Sequence, residues 1–349
     1  MPTPAPRLFV SLVAALAVAG CAHQPRIVTN EAGEPLVSTF SIVAVDTTTG
    51  EIGVAVQSKF PNVRFMVPPV KAGVGAVATQ SFARLAYGPE GIALMAEGAT
   101  AEEALRISMR NDPNPPVRQV GMVDARGNAA TFTGAEAFDW RGGRVGGSDA
   151  IAEAGVVAVG HGYAAQGNIL VSQETVDAIA ETFEASTGTL AQRLTAALVA
   201  GGRAGGDKRG EQSAALVVHR GGAGYDGSDV VVDISVYDHP TPLAELERLV
   251  ALNDLYFTDS DPADMVEITP AIARELQEIW LARDFYDGPA DGEVDPEFQS
   301  ILTDYMGWEN YDLRIDEVAD VDLDAGETLR IDREVLDDIR AVFREGRYR

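Results

Sequence analysis

The chain has 349 residues, a formal net charge of −26 and an ordinary share of apolar residues. That length suits one large domain plus a small one, each with a packed core. The charge excludes nucleic acid as a partner, since phosphate binding needs clustered Lys and Arg, and excludes electrostatic adhesion to anionic lipid.

Residues 1–21 read as a targeting segment. Arg7 precedes the apolar run Leu8–Ala17, too short to span a bilayer. Val18-Ala19-Gly20-Cys21 follows, and Cys21 is the one cysteine of the chain. A lone cysteine forms no internal disulfide. Its setting resembles a bacterial lipobox, which implies a lipidated Cys21 and a membrane anchor; the other reading is an ordinary secretory signal. More than one acyl chain gives stable anchoring. Ala22 stands where an inner-membrane retention signal carries Asp, so the resemblance implies an outer-membrane lipoprotein of the cell envelope, facing the periplasm. Residues 22–37 lack an apolar period and read as a tether.

The folded part opens with two β-branched strands, 38–46 and 51–58, joined by the turn Thr47-Thr48-Thr49-Gly50. A strand of small residues follows at 73–80. Helices are expected at 89–97 and 100–110, the second started by the capping box Thr100-x-x-Glu103. Residues 118–124 and 129–133 form another hairpin, and 156–159 a short buried strand. Apolar residues at helical spacing mark 172–186 and 190–200. Gly201–Arg220 is a Gly-rich loop carrying Asp207, Lys208, Arg209, Glu211 and Gln212, which runs into an apolar strand at 214–218. So many polar groups before a core strand suit a site at the lip of a sheet, or a solvated connection. A strand at 230–237 and a helix at 242–257 complete the domain. Hairpins with segregated helices predict an α+β fold, with sheets sandwiched between helical layers in four layers.

Acid is unevenly spread. Residues 259–349 hold 26 acidic against 9 basic residues, and residues 1–258 hold 27 against 18. The break near 258 marks a domain boundary. The organisation is thus a leader (1–21), a tether (22–37), a large domain (38–257), a linker (258–264) and a small, mainly helical domain (265–349).

The segments 39–46 TFSIVAVD, 53–59 GVAVQSK, 73–80 GVGAVATQ, 118–124 RQVGMVD, 133–134 TG, 166–170 QGNIL, 205–213 GGDKRGEQS and 238–240 DHP occur in this order. Together they resemble the DUF1028 family over about residues 38–257. The resemblance implies the αββα sandwich of the N-terminal-nucleophile (Ntn) hydrolase-like folds. In Ntn chemistry a Thr, Ser or Cys heads the first strand and attacks an amide, with its own free α-amine as base. Thr39 fits that position; the bland alternative is a strand-edge Thr. Cleavage before Thr39 frees the amine but also releases the domain from its anchor. Without cleavage Thr39 has no amine to act as base.

The same matched segments imply the other site candidates. Lys59 and Asn168 join Thr39 as catalytic candidates, Asn168 as an oxyanion donor or else a turn residue. Ser58, Gln80, Asp207, Arg209, Gln212 and Ser213 are substrate-binding candidates. Asp207 and Arg209 pair, leaving the Arg fork for a substrate carboxylate, or they simply brace the loop. None of the four His residues stands at metal-ligand spacing with another, so no metal or other cofactor is expected.

In the last domain, Phe285–Gly292 (FYDGPADG) resembles the loop of small helical peptidoglycan-binding modules. That implies Tyr286 and Asp291 as peptidoglycan contacts, and the aromatic, polar cluster Trp308-Glu309-Asn310-Tyr311 suits sugar stacking and hydrogen bonding through Trp308 and Asn310; core packing is the alternative. Asp332 is an expected N-cap. Asp320-x-Asp322-x-Asp324 lacks the Gly and Glu of an EF-hand loop, having Ala325 and Ile331 there, and reads as a solvated acidic turn. The resulting expectation is an envelope lipoprotein, an Ntn-type amidohydrolase acting on a cell-wall peptide or small metabolite and held near peptidoglycan. The alternative is a non-catalytic peptidoglycan- or ligand-binding lipoprotein on the same scaffold. Either reading leaves room for a homo-oligomer.

Overall fold

The computed structural model describes residues 36–37 and 39–347. The expected leader, Cys21 and most of the tether lie outside the described residues.

In chain order come β1 (Leu36–Val37), β2 (Thr39–Asp46), β3 (Glu51–Ser58), β4 (Val70–Lys71) and β5 (Gly75–Phe82). Next are α1 (Tyr87–Ala96), α2 (Ala101–Arg110), β6 (Arg118–Asp124), β7 (Asn128–Thr133), β8 (Gly142–Val145), β9 (Val157–His161) and β10 (Tyr163–Asn168). Then follow α3 (Glu174–Ala185), α4 (Leu190–Arg203), β11 (Ser213–His219), β12 (Val230–Val236) and α5 (Pro242–Phe257). The last stretch holds β13 (Met265–Glu267), α6 (Pro270–Ala282), α7 (Pro296–Trp308), α8 (Asp316–Ala319), β14 (Arg330–Asp332) and α9 (Arg333–Glu345).

Local chemistry sets most of these ends. Asp46 Oδ1 accepts from the Thr48 amide at 2.9 Å, closing the turn between β2 and β3. Thr100 and Glu103 complete the expected capping box on α2, and Thr189 with Gln192 build another on α4. Pro at the first helical position opens α5, α6 and α7.

Two antiparallel sheets stack. One has the order β12-β11-β3-β2-β10-β8; the other runs β1-β5-β6-β7-β9, with β4 also on β5. Helices α3, α4 and α5 cover the outer face of the first sheet through Ile179, Leu194, Leu198 and Leu246. Helices α1 and α2 cover the second through Tyr87 and Leu105. Between the sheets lie Val43, Val45, Ile52, Val54, Ala76, Val123 and Ala129. The fold is the expected α+β class in four layers. Full burial of each Val or Ile contributes about 1.5–3 kcal/mol, so this middle layer is a main source of stability.

Several findings differ from the expected elements. The strand expected to be buried at 156–159 is β9, with Val156 beside it and Val159 within it each 48% exposed, and β8 is a strand beyond those expected. Residues 163–168 form β10, a central strand paired with β2 and β8. Gly201–Arg203 belong to the last turn of α4, so the Gly-rich loop proper begins after them.

The acidic C-terminal region packs its own core around Trp280, Phe298, Tyr305, Tyr311 and Leu336. Asp332 caps α9 through the Glu334 amide, and its other oxygen meets the buried Arg314 guanidinium at 2.7 Å. Helix α5 belongs to both cores. Leu243, Leu246 and Val250 sit in the sandwich, while Leu255 joins the C-terminal core, with Leu252 and Tyr256 packed against it.

Candidate functional site

Strand register gathers the polar residues into rows. Asn168, Thr39, Ser58 and Ser213 stand side by side across β10, β2, β3 and β11. In the other sheet Gln80, Gln119 and Thr133 stand side by side across β5, β6 and β7. Strand residues two apart share a face. The next positions on that face are Gln166 and Ser41 in the first sheet, and Gly121 and Thr131 in the second.

These groups meet between the sheets, fully buried. Gln119 is the hub. Its Oε1 accepts from Gln80 Nε2 at 2.8 Å and from Asn168 Nδ2 at 2.9 Å. Its Nε2 donates to Thr133 Oγ1 at 2.9 Å and to the Gly167 carbonyl at 2.8 Å. Gln80 Nε2 also donates to the Thr39 carbonyl at 3.1 Å, and Thr39 Oγ1 donates to Ser58 Oγ at 3.1 Å. Deeper in, Gln166 Nε2 donates to Ser41 Oγ at 2.7 Å, and Ser41 Oγ to Gln80 Oε1 at 2.8 Å. Gly121 makes room for this, since a Cβ there would lie 2.3 Å from Gln166 Oε1. Buried polar groups need such partners, because an orphaned one costs about 1–3 kcal/mol.

The two amide-bearing strands share a second feature. The residue after Gln80 is Ser81, with φ 71°, and the residue after Asn168 is Ile169, with φ 55°. A β-branched residue in the left-handed region is strained, and such strain clusters at functional sites. The amides of Gln80 and Asn168, each one residue before such a position, both approach the Thr39 carbonyl, at 3.1 and 3.5 Å.

A charged cluster borders the row at the end of β3. Asp207 is buried, and Arg209 holds it through Nε at 3.2 Å and Nη2 at 3.0 Å. The Lys59 amide reaches Asp207 Oδ2 at 3.4 Å, and Lys59 Nζ donates to the Glu211 carbonyl at 3.4 Å. Gly205 (φ 126°) and Gly206 (φ 58°) supply the left-handed turn that brings the loop here. Burial pushes the Glu211 carboxyl above its ordinary value, so it holds its proton to higher pH than an exposed Glu.

The structure therefore brings Thr39, Ser58, Gln80 and Asn168 together, with Lys59, Asp207 and Arg209 beside them. Asn168 does so from a strand, not a turn. Gln212 and Ser213 are placed otherwise. Gln212 Nε2 donates to Asp238 Oδ1 at 2.9 Å. Ser213 Oγ donates to the Phe60 carbonyl at 2.6 Å and accepts the Val63 amide at 3.0 Å, bracing the turn after β3. The four expected peptidoglycan contacts fall in two clefts. Tyr286 and Asp291 line one of about 220 Å³, with Glu293 and Glu297. Trp308, 72% exposed, and Asn310 line another of about 320 Å³, with Arg283.

Sequence reasoning missed Ser41, Gln119, Thr131 and Gln166. For Ser41, Gln119 and Thr131 a signal was present, a polar residue at the inward parity of a recognisable strand; for Gln166 none was, since β10 itself is not marked in the sequence.

The sequence model of a family of unknown function, DUF1028, matches residues 39–246. The crystal structure of a DUF1028 protein from Silicibacter pomeroyi aligns with a TM-score of 0.53 at 30% identity, covering 62% of this chain and 89% of that one. No curated protein matches the chain.

Proposed function

The chain belongs to the DUF1028 family, and from that premise we propose that its sandwich is an Ntn-type amidohydrolase with Thr39 as nucleophile. One observation carries the reading. Thr39 heads β2 with its hydroxyl on Ser58, and the side-chain amides of Gln80 and Asn168, each followed by a residue of positive φ, stand against its carbonyl.

The chemistry requires cleavage of the Ser38–Thr39 bond. The freed α-amine, with an ordinary pKa of about 7.7–8.0, takes the Thr39 hydroxyl proton. Oγ1 bonds to the substrate carbonyl carbon, and the developing oxyanion is met by amides such as Gln80 Nε2 and Asn168 Nδ2. The C–N bond breaks as the amine leaves with the proton. Water then hydrolyses the Thr39 ester and restores the hydroxyl. Arg209, which holds Asp207 through Nε and Nη2 and keeps a partly exposed side chain at the loop, suits a substrate carboxylate. In this reading a lipidated Cys21 tethers the unprocessed chain in the envelope. The C-terminal unit holds peptidoglycan through Tyr286, Asp291, Trp308 and Asn310, and the amide belongs to a cell-wall peptide or small metabolite.

A second reading rests on a specific observation. The residues joined to Thr39 between the sheets are neutral, and Gln80 Nε2 is already engaged by Thr39 and Gln119. That favours a lipoprotein that binds a ligand at the loop without catalysis. The N-terminus of the mature protein separates the two. A chain beginning at Thr39, whose amidase activity is lost in Thr39→Ala, supports the first. A chain beginning at Cys21 with no shorter species removes it and leaves the second. Peptidoglycan binding is tested separately: the intact protein sediments with purified sacculi, and Tyr286→Ala or Trp308→Ala weakens it.

A further inference from the structure

Where α5 passes from the sandwich to the C-terminal core, a cleft of about 520 Å³ opens. Its walls are Ile234 of β12, Leu249 and Phe257 of α5, and Tyr225 of the turn between β11 and β12. Asn310 and Asp312, from the turn after α7, supply the polar edge. None of these residues belongs to the row around Thr39.

Two features mark the cleft as a site. First, Tyr225 is 59% exposed and Phe257 50% exposed, yet their rings meet edge to face at 5.9 Å. Two large rings that stay half exposed while packing on each other leave apolar surface facing the cleft. Second, the polar edge is held rigidly. Asn310 adopts the left-handed region (φ 67°), where Asn is favoured, and neighbouring Tyr311 stacks flat on Tyr256 at 5.4 Å. An apolar cleft of several hundred Å³ with a few convergent polar groups has the form of a small-molecule site.

Charge narrows the ligand. The lining carries the Asp312 carboxylate and neither Lys nor Arg, in a chain of net charge −26. An anion would meet repulsion without a counter-charge. We infer that this junction cleft binds a small uncharged or cationic molecule with a ring-sized apolar body. Its rings lie against Tyr225 and Phe257, and its hydrogen-bonding edge faces Asn310 and Asp312. The site shares no residue with the catalytic reading, and with the proposed peptidoglycan contacts it shares Asn310.

The test uses two fluorescent probes that differ by one charge, uncharged N-phenyl-1-naphthylamine and its anionic relative 1-anilinonaphthalene-8-sulfonate. The full chain carrying Cys21→Ser, which removes the acylated residue, is titrated without detergent. The expected result is one uncharged probe bound per chain, and a sulfonate affinity at least about tenfold weaker. Leu249→Trp fills the cleft, and Tyr225→Ala removes one exposed wall; each weakens the uncharged probe about tenfold. Asp312→Asn narrows the gap between the probes. Absence of binding, equal affinity for both probes, or affinity unchanged in Tyr225→Ala overturns the inference. Tyr225 is exposed, so that variant decides the matter even where Leu249→Trp does not fold.

Discussion

The two ends of the space between the sheets are built from the same strands and differ in kind. At one end Val43, Val45, Ile52, Val54, Ala76, Val123 and Ala129 form a dry apolar layer. At the other, Thr39, Ser41, Gln80, Gln119, Gln166 and Asn168 meet through side-chain hydrogen bonds. Apolar contact alone holds such sheets together, and a buried amide network adds little net stability because it exchanges water for protein partners. Its rigidity and directed donors are what it adds. The apolar end thus answers for the fold, and in the proposed reading the polar end serves a task that needs Thr39 held in one place.

The largest expected effect separates task from fold. If the proposed reading holds, Thr39→Ala lowers amidase turnover of the processed protein by at least about 10³-fold, while the urea midpoint moves little, since the neutral hydrogen bond from Thr39 Oγ1 to Ser58 Oγ is worth about 1 kcal/mol. A comparable loss of both would erase the contrast between the ends.

Next in size is a charge kept off the interface. Arg118 precedes Gln119 and so points to the other face of β6. There it pairs with Asp112 at 2.7 Å, both side chains fully buried. Burial alone pushes the Asp112 carboxyl up. The hydrogen bond from Arg118, the Asn114 amide, the Arg118 charge and the Tyr87 hydroxyl outweigh it, and the net shift is down. A depressed carboxyl stabilises the fold above its unfolded value of about 3.9 and loses that contribution as pH falls through its folded value. Asp112→Asn should cost about 3–5 kcal/mol at neutral pH. It should also flatten the acid limb of a plot of urea midpoint against pH.

Ile52→Ala, at the apolar end, should cost about 2–5 kcal/mol by urea unfolding with turnover per folded molecule unchanged. Gln119→Ala should cost less, about 1–3 kcal/mol, by stranding Gln80 and Asn168 amide groups. It should nevertheless reduce turnover, because those amides lose their aim. If Gln119→Ala proves costlier than Ile52→Ala while turnover is untouched, the division of labour is wrong.

Much of the fold was legible in the residues. The bounds of β2, β3 and α5 follow from β-branched alternation, the turn Thr47–Gly50 and Pro242. Strand β10 was not legible. Its sequence, YAAQGN, has weak strand propensity, and it is a strand because β2 and β8 flank it. Missing it left a turn as the alternative reading of Asn168 and hid Gln166. The site was half legible for the same reason. Thr39, Ser58 and Gln80 lie at the ends of recognisable strands. Gln119 sits one residue inside a strand edge, and only the facing sheet reveals that it is the hub. The four residues assigned to peptidoglycan were grouped by residue type; chain geometry puts them in two clefts.

Helix α5 carries a consequence for how the protein melts. Its first turns are sandwich core and its last turns are C-terminal core, while Arg314 Nη2 ties the C-terminal unit to the Asp254 carbonyl at 3.0 Å. A break in charge near residue 258 is therefore not a break in cooperativity. Neither unit can lose its packing without uncovering the helix the other depends on, so calorimetry should register one endotherm where the composition suggests two. A truncation at 257 would leave Leu252, Leu255 and Tyr256 as a sticky, half-dressed end rather than a clean domain.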